Sequence, residues 1–276
     1  MKIQNWKRSS AIALSAFLFF GITEGTSYAS SVTASAQMEW ASLKIEGTGA
    51  TIVYNPTTWT SSWSRAGTFA QWTIPSNVYG VNNFQTGIVA TIAESEIGAS
   101  LPHSAYALAK TDTVSGKENI IAAASAFATN YEEYSAIATA QRDQYYQVTG
   151  NGNLIFSINY TLGNITIDAS DGSGWADILS FSYLTRFNAI TKEWDNITGF
   201  VIDEIETGLI DYNDVFDSRS GTLTFTYDAT EDEFLHFGAG VKVKASAASA
   251  VPVPGAVWLL GSGLLGMIAI RRKSAQ

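Results

Sequence analysis

Cysteine is absent from the 276 residues, histidine occurs twice, and cations are outnumbered, with 16 Lys+Arg against 25 Asp+Glu. Without thiols the chain can build neither a disulfide framework nor a thiolate metal site. His103 and His236 are the only imidazoles, so a zinc or iron centre would have to be built mainly from carboxylates, poor material for a transition metal. A Ser-His-Asp hydrolase needs a histidine held by a carboxylate beside an exposed serine. The G-x-S-x-G elbow does not occur, and "DGSGW" sets Ser173 directly between glycines. His103 follows Pro102 and reads as a loop residue. His236 alternates onto the polar side of a strand and reads as a solvated surface residue. We expect no catalytic residue and no cofactor.

Charge is unevenly placed. Residues 30–244 hold 10 Lys+Arg against 24 Asp+Glu, a net of −14. A body of that sign repels phosphate backbones, so nucleic acid is excluded as a partner. Carboxylates cluster at Glu132-Glu133, at Asp203-Glu204 with Glu206, and at Glu231-Asp232-Glu233. A glycosidase needs two carboxyls facing each other across about 5–10 Å, which spacing along a strand does not establish; solvated surface charge is the preferred reading. "DYNDVFDSRSG" offers Asp211, Asn213, Asp214 and Asp217 as oxygen ligands for Ca2+, and "DASDGSG" offers Asp168 and Asp171. Neither has the ordered D-x-[DN]-x-[DN]-G spacing, so both read as polar turns.

Long apolar runs are confined to the two ends. At the N-terminus Lys2, Lys7 and Arg8 precede AIALSAFLFFGI (Ala11–Ile22), and Ser27-Tyr28-Ala29 then presents the small residues that a signal peptidase reads. Residues 1–29 are expected to be a secretory signal peptide cut after Ala29, with Ala34-Ser35-Ala36 as a second cleavage candidate. At the C-terminus no charge occurs from Ala245 to Ile270. The 20 residues Val251–Ile270 make a helix of about 30 Å, the thickness of a bilayer's hydrocarbon core. Pro254 fits its first turn, and Trp258 sits where an amphipathic ring anchors at the interface. Gly261, Ser262, Gly263 and Gly266 form a small-residue face suited to close helix contact. Arg271, Arg272 and Lys273 then stop translocation and hold the tail on the cytoplasmic side of the inner membrane. Between body and helix, residues 245–250 read as a flexible small-residue spacer.

The order Val251-Pro252-x-Pro254, Gly255-Ala256-Val257-Trp258-Leu259, Gly261-Ser262-Gly263-Leu264-Leu265-Gly266 and Arg271-Arg272 resembles the PEP-CTERM sorting signal. Val253 replaces the glutamate that gives the signal its name, as in a common subtype. The resemblance covers about 25 residues, 251–273 at its centre. It implies an exported protein of a Gram-negative, exopolysaccharide-producing bacterium, recognised by a membrane-embedded exosortase through Pro252 and Pro254 and cleaved near them. The mature body would then lie at the cell surface or outside the cell.

Residues 30–244 show period-two patterning. Leu154, Phe156, Ile158, Tyr160 and Leu162 alternate with Ile155, Ser157, Asn159 and Thr161, the mark of a half-buried strand. Gly150-Asn151-Gly152-Asn153 before it reads as a hairpin turn from a strand ending near Val148. Further inner faces are expected from Leu179, Phe181, Tyr183 and Phe187, from Leu223, Phe225 and Tyr227, and from Leu235, Phe237, Ala239, Val241 and Val243. Residues 104–141 are rich in alanine, which favours helix. Yet Phe127, Thr129 and Tyr131 alternate with Ala126, Ala128 and Asn130, and strand is the preferred reading. Exported bodies that carry the PEP-CTERM signal resemble this layout of an Ala/Ser-rich segment, a "VTGNG-L-FS--YTL" stretch and a late "LTF-Y" strand. We expect one all-β domain, an antiparallel β-sandwich of jelly-roll type, flanked by the two terminal helices.

Trp59 and Trp63 stand among small polar residues in "TTWTSSWS". Flat rings in such a setting stack on sugar faces, although core packing is the commoner use. A non-enzymatic surface or matrix protein is therefore the leading reading. A carbohydrate-binding module for exopolysaccharide is the second, and a secreted glycosidase or lyase the third.

Overall fold

The computed structural model describes residues 29–54, 61–72, 78–87, 91–97, 104–112, 119–129, 132–169, 172–188, 191–195 and 199–249. Every element among them is a strand. The chain enters through β1 (Ala29–Thr48) in a first sheet, then places β2 (Thr51–Tyr54), β3 (Ser61–Trp72) and β4 (Val78–Gly87) in a second. It returns to the first sheet with β5 (Thr91–Ile97), β6 (Ser104–Asp112) and β7 (Asn119–Thr129), and crosses again with β8 (Glu132–Thr149). Next, β9 (Gly152–Leu162) and β10 (Ile165–Asp168) join the first sheet, and β11 (Gly172–Asn188), β12 (Glu193–Trp194) and β13 (Gly199–Glu206) the second. Finally β14 (Asp214–Phe216) and β15 (Arg219–Ala229) complete the first sheet and β16 (Phe234–Ser249) the second. Each sheet has eight strands, and every pairing is antiparallel.

The two sheets share one core. Where β9, β15 and β16 meet, Phe156 stacks on Phe225 (5.2 Å between centroids) and on Phe237 (5.4 Å), and Trp40 tilts against Phe237 at 5.8 Å. Burying a ring such as Phe156 stabilises by roughly 1.5–3 kcal/mol. Toward β6 and β7 the core narrows. Ala105, Ala107, Ala109, Ala122, Ala124 and Ala126 face Ala136, Ala138, Ala245 and Ala247, all buried. With methyl groups alone between them, Cα atoms of β7 come within 8 Å of those of β8 and β16, closer than the ~10 Å usual for stacked sheets. At the β3–β5–β6 edge the layer turns to hydroxyls: Ser64 Oγ lies 2.6 Å from Thr91 Oγ1, Thr91 Oγ1 3.0 Å from Thr111 Oγ1, and Thr68 Oγ1 2.9 Å from Ser95 Oγ.

Within the alanine-rich region 104–141 the described residues are strand, as β6, β7 and the first half of β8. Its inner face is carried by Ala126 and Ala128, while Phe127 is only half-buried on the other side. Small side chains win here because the sheets approach too closely for rings.

Three expectations need correction. "VTGNG" does not close a hairpin: β8 pairs with β2, β3 and β16, and β9 with β1 and β15. Gly49 and Gly150 instead turn two adjacent connections, β1 to β2 and β8 to β9, from one sheet into the other, with φ of +83° and +79°. A β-carbon on Gly150 would meet the Gly49 carbonyl at 2.6 Å, so the glycine serves both the positive φ and the close approach of the two connections. The β15-to-β16 connection runs alongside, held by Val148 N–H to Glu233 O (2.9 Å) and Glu231 N–H to Asn151 Oδ1 (2.9 Å). Second, β11 faces the other way: Ile178, Ser180, Ser182 and Leu184 are buried, and Leu179, Phe181, Tyr183 and Phe187 lie half-buried on the outer face. Third, residues 245–249 are no spacer. They finish β16, paired with both β8 and β11, and Ala245 and Ala247 are fully enclosed. Ser30 Oγ donates to the Ala248 carbonyl at 2.9 Å, tying the first strand to the last.

Candidate functional site

The sorting-signal residues Val251, Pro252, Pro254, Trp258, Gly261, Gly263, Arg271, Arg272 and Lys273, and also Trp59 and His103, lie outside the described residues. Ala29 is the first residue of β1, paired with Thr129. Trp63 is described, and it sits on the outer face of the second sheet.

Antiparallel pairing sets side chains from neighbouring strands on one face. Across the second sheet one row reads Trp63, Gln141, Gly240, Phe181 and Ile202. The row on one side reads Phe84, Arg65, Thr139, Lys242, Leu179 and Glu204. Trp63 tilts at 40° to Phe84 with centroids 6.0 Å apart, and Phe84 is 58% exposed. Together with Arg65, Asn82, Thr139 and Lys242 these rings line a groove of about 850 Å³. Burial first, and then the neighbouring Lys244 ammonium, pull Lys242 below the usual lysine value. Lys244 itself reaches Asp177 Oδ2 at 3.1 Å. The Asp177 carboxyl, then burial, push Glu204 above the usual carboxylate range.

The row on the other side holds Asp143, Gly238, Tyr183 and Phe200. Gln141 Nε2 donates to Asp143 Oδ1 and to the Tyr183 hydroxyl, both at 2.6 Å, and Tyr183 donates to Asp143 Oδ1 at 2.8 Å. Burial and the Asp143 carboxylate drive the Tyr183 hydroxyl well above the usual tyrosine value. Beyond it, His236 is on the outer face, as expected, but it is not solvated. Tyr145 stacks on its ring at 4.6 Å, Trp194 and Tyr183 close in edgewise at 5.6 Å, and the side chain is 17% exposed. Its Nδ1 lies 3.2 Å from Thr185 Oγ1 and its Nε2 3.2 Å from Asp143 Oδ1, the latter without hydrogen-bond geometry. A hydroxyl, an imidazole and a carboxylate thus follow one another, but three rings wall in the imidazole.

The remaining candidates are tied into the fold. Asp203 accepts from the Tyr160 hydroxyl and pairs with Arg219. Glu233 accepts from Tyr227 at 3.0 Å and lies 3.4 Å from Arg186. Asn213 Oδ1 takes the Ala169 N–H at 2.9 Å, and Asp214 Oδ1 that of Val215 at 2.8 Å. Among the described residues no group of three or more His, Asp or Glu is placed to hold a metal ion.

Sequence reasoning found Trp63 but not Phe84, Arg65, Lys242 or the Asp143–Tyr183 network. One signal was available: Gly238 and Gly240 alternate on the outer side of a strand, and glycine inside a strand marks close approach of something else.

No curated protein matches the chain. Among solved structures, a chain from the structure of infectious bursal disease virus Gx strain is 10% identical over 86% of this chain and 74% of that one, with a TM-score of 0.17, which carries no argument about the fold. No helix among the described residues is long and apolar enough to cross a membrane. Residues 250–273, directly after the last strand, match the family model of the PEP-CTERM protein-sorting motif; the chain carries that motif, which implies an exported protein processed by an exosortase.

Proposed function

We propose that this is a non-enzymatic surface or extracellular-matrix protein of the exopolysaccharide layer, trimmed at its C-terminus by an exosortase. The observation that carries the reading is the sorting motif at 250–273, which follows Ser249 without a break. In this reading residues 1–29 are the signal peptide. Cleavage after Ala29 keeps Ser30 and its bond to Ala248, whereas cleavage after Ala36 would remove the buried Val32 and Ala34 from β1. Residues 251–273 form a temporary membrane helix with a basic stop, and the body wraps as a jelly roll. Intact mass of the protein from culture supernatant and from cell envelope tests this. The mature species should lack the residues beyond about Pro254, and a species still ending at Gln276 in both fractions would overturn processing.

A second reading is favoured by the groove beside Trp63: the outer face of the second sheet is a carbohydrate-binding surface. The half-buried Trp63 and the exposed Phe84, flanked by amide, hydroxyl and cationic groups, suit sugar, whose faces are apolar and whose edges are polar. Titration with the host's own polysaccharide should shift tryptophan emission, and Trp63→Ala should remove most of the shift. An unchanged spectrum in both proteins would sink the reading. A glycosidase or lyase draws less support, because Asp203 and Glu233 are engaged by arginines.

A further inference from the structure

We propose that the groove lined by Trp63 and Phe84 selects anionic polysaccharide, holding the carboxylates of a uronic-acid chain on Arg65 and Lys242 and its ring faces on the two aromatics. This deepens the carbohydrate-binding reading and rests on it.

In a body where acids outnumber cations 24 to 10, three cations of the described residues are engaged by nearby carboxylates: Lys244 meets Asp177, Arg186 meets Asp195 and Glu233, and Arg219 meets Asp203. Among the described residues Arg65 and Lys242, like Lys44 and Lys192, form no ion pair, and of these four Arg65 and Lys242 line the same groove. They stand in one row with only Thr139 between them, two strand spacings or about 10 Å apart at Cα, so their head groups can reach one ligand. Burial and Lys244 disfavour Lys242 as a cation, and the Asp177 and Glu204 carboxylates oppose them only in part; an arriving carboxylate adds to that opposition. A guanidinium adds a planar fork that matches a carboxylate. Asn82 and Thr139 supply an amide and a hydroxyl for the sugar's hydroxyls.

The net −14 of the body disfavours any polyanion at long range, uronate chains included, so selectivity has to come from the local pair of cations and the two aromatics. A polymer whose carboxylates are spaced by sugar rings can engage both kinds of group together.

The test uses the full chain purified in detergent, with tryptophan emission as the readout. The probes are polygalacturonate, alginate and hyaluronan, carboxyl-reduced polygalacturonate, and polyglutamate. Polygalacturonate or another of the uronates should bind at least about tenfold more tightly than the reduced form, because a charge-assisted hydrogen bond is lost on reduction. Arg65→Gln and Lys242→Gln should each weaken that binding about tenfold and leave the reduced form unaffected. Added salt should weaken it further. Equal binding of charged and reduced polymers overturns anion selection while leaving sugar binding standing. Polyglutamate binding as tightly as the uronates overturns the role of the rings. Failure of all three uronates overturns the proposal, and silence of the reduced polymer and the host polysaccharide as well overturns the carbohydrate-binding reading beneath it.

Discussion

The ring of Tyr183 lies across Gly238, so close that a β-carbon on the glycine would sit 2.3 Å from Tyr183 Cζ and 2.5 Å from Asp143 Oδ1. The empty position lets a tyrosine on β11 reach over β16 to a carboxylate on β8. Gly238→Ala should push Tyr183 off that carboxylate and destabilise the protein by about 1–3 kcal/mol. For a domain of this size that is about 2–4 °C in melting temperature per kcal/mol. Tyr183→Phe should keep the ring and remove one donor from Asp143, at a similar cost. Thermal melts followed by circular dichroism would check both, and a melt for Gly238→Ala superposable on the parent's would refute the contact.

Alkali should unfold the protein earlier than packing alone dictates. Burial and the Asp203 carboxylate raise the Tyr160 hydroxyl from 10.0 to about 12, and burial with Glu233 does the same for Tyr227. A tyrosine held protonated in the fold but not in the unfolded chain contributes stability that is fully present below pH 10. That contribution is lost as pH rises from there through about 12, because the unfolded state then binds fewer protons. Spectrophotometric titration should show delayed ionisation of these tyrosines, and Tyr160→Phe should flatten the loss of stability between pH 10 and 12.

Ala245→Leu distinguishes a strand from a spacer. Ala245 is 1% exposed and is paired with Ala136 and Ala176, both buried. Inserting three carbons into that narrow layer should cost about 1–3 kcal/mol or more. A flexible linker would accept the change without effect, so an unaltered urea midpoint would contradict the packing described.

Removing residues 251–273 should leave the fold intact and change only its destination. The described body closes at Ser249, so the melting temperature should hold while the protein no longer partitions with the membrane before processing. Fractionation with an antibody to the body would show it. Retention in the inner membrane would mean that some other segment anchors the chain.

The strands with large apolar residues on one face were legible: Leu154, Phe156, Ile158 and Leu162 point inward as their spacing requires, and so do Leu235, Phe237, Val241 and Val243. Legibility failed where the core is made of small groups. Ser180 and Ser182 face inward while Phe181 and Tyr183 face out, because β11 lies opposite a close sheet on one side and beside two glycines on the other. Ser64, Thr68, Thr91 and Ser95 are buried against one another, and nothing in a hydroxyl's local sequence tells a solvent partner from a second hydroxyl. Of the groove, Trp63 could be named from its polar neighbours. Arg65, Phe84 and Lys242 could not, since four strands from distant parts of the chain bring them together.

The bond from Ser30 to Ala248 has a bearing on timing. Both ends of the body are interior members of their sheets: β1 separates β7 from β9 and β10, and β16 separates β8 from β11. A polypeptide still emerging from a narrow channel can pair the first sheet by β15, but the second sheet and the shared core stay open until β16 joins β8 to β11, and such long-range closure is slow. Maturation must wait for the final strand. Because residue 250 opens the sorting motif, a completed body and an available address arrive together, and a stalled chain without β16 offers neither.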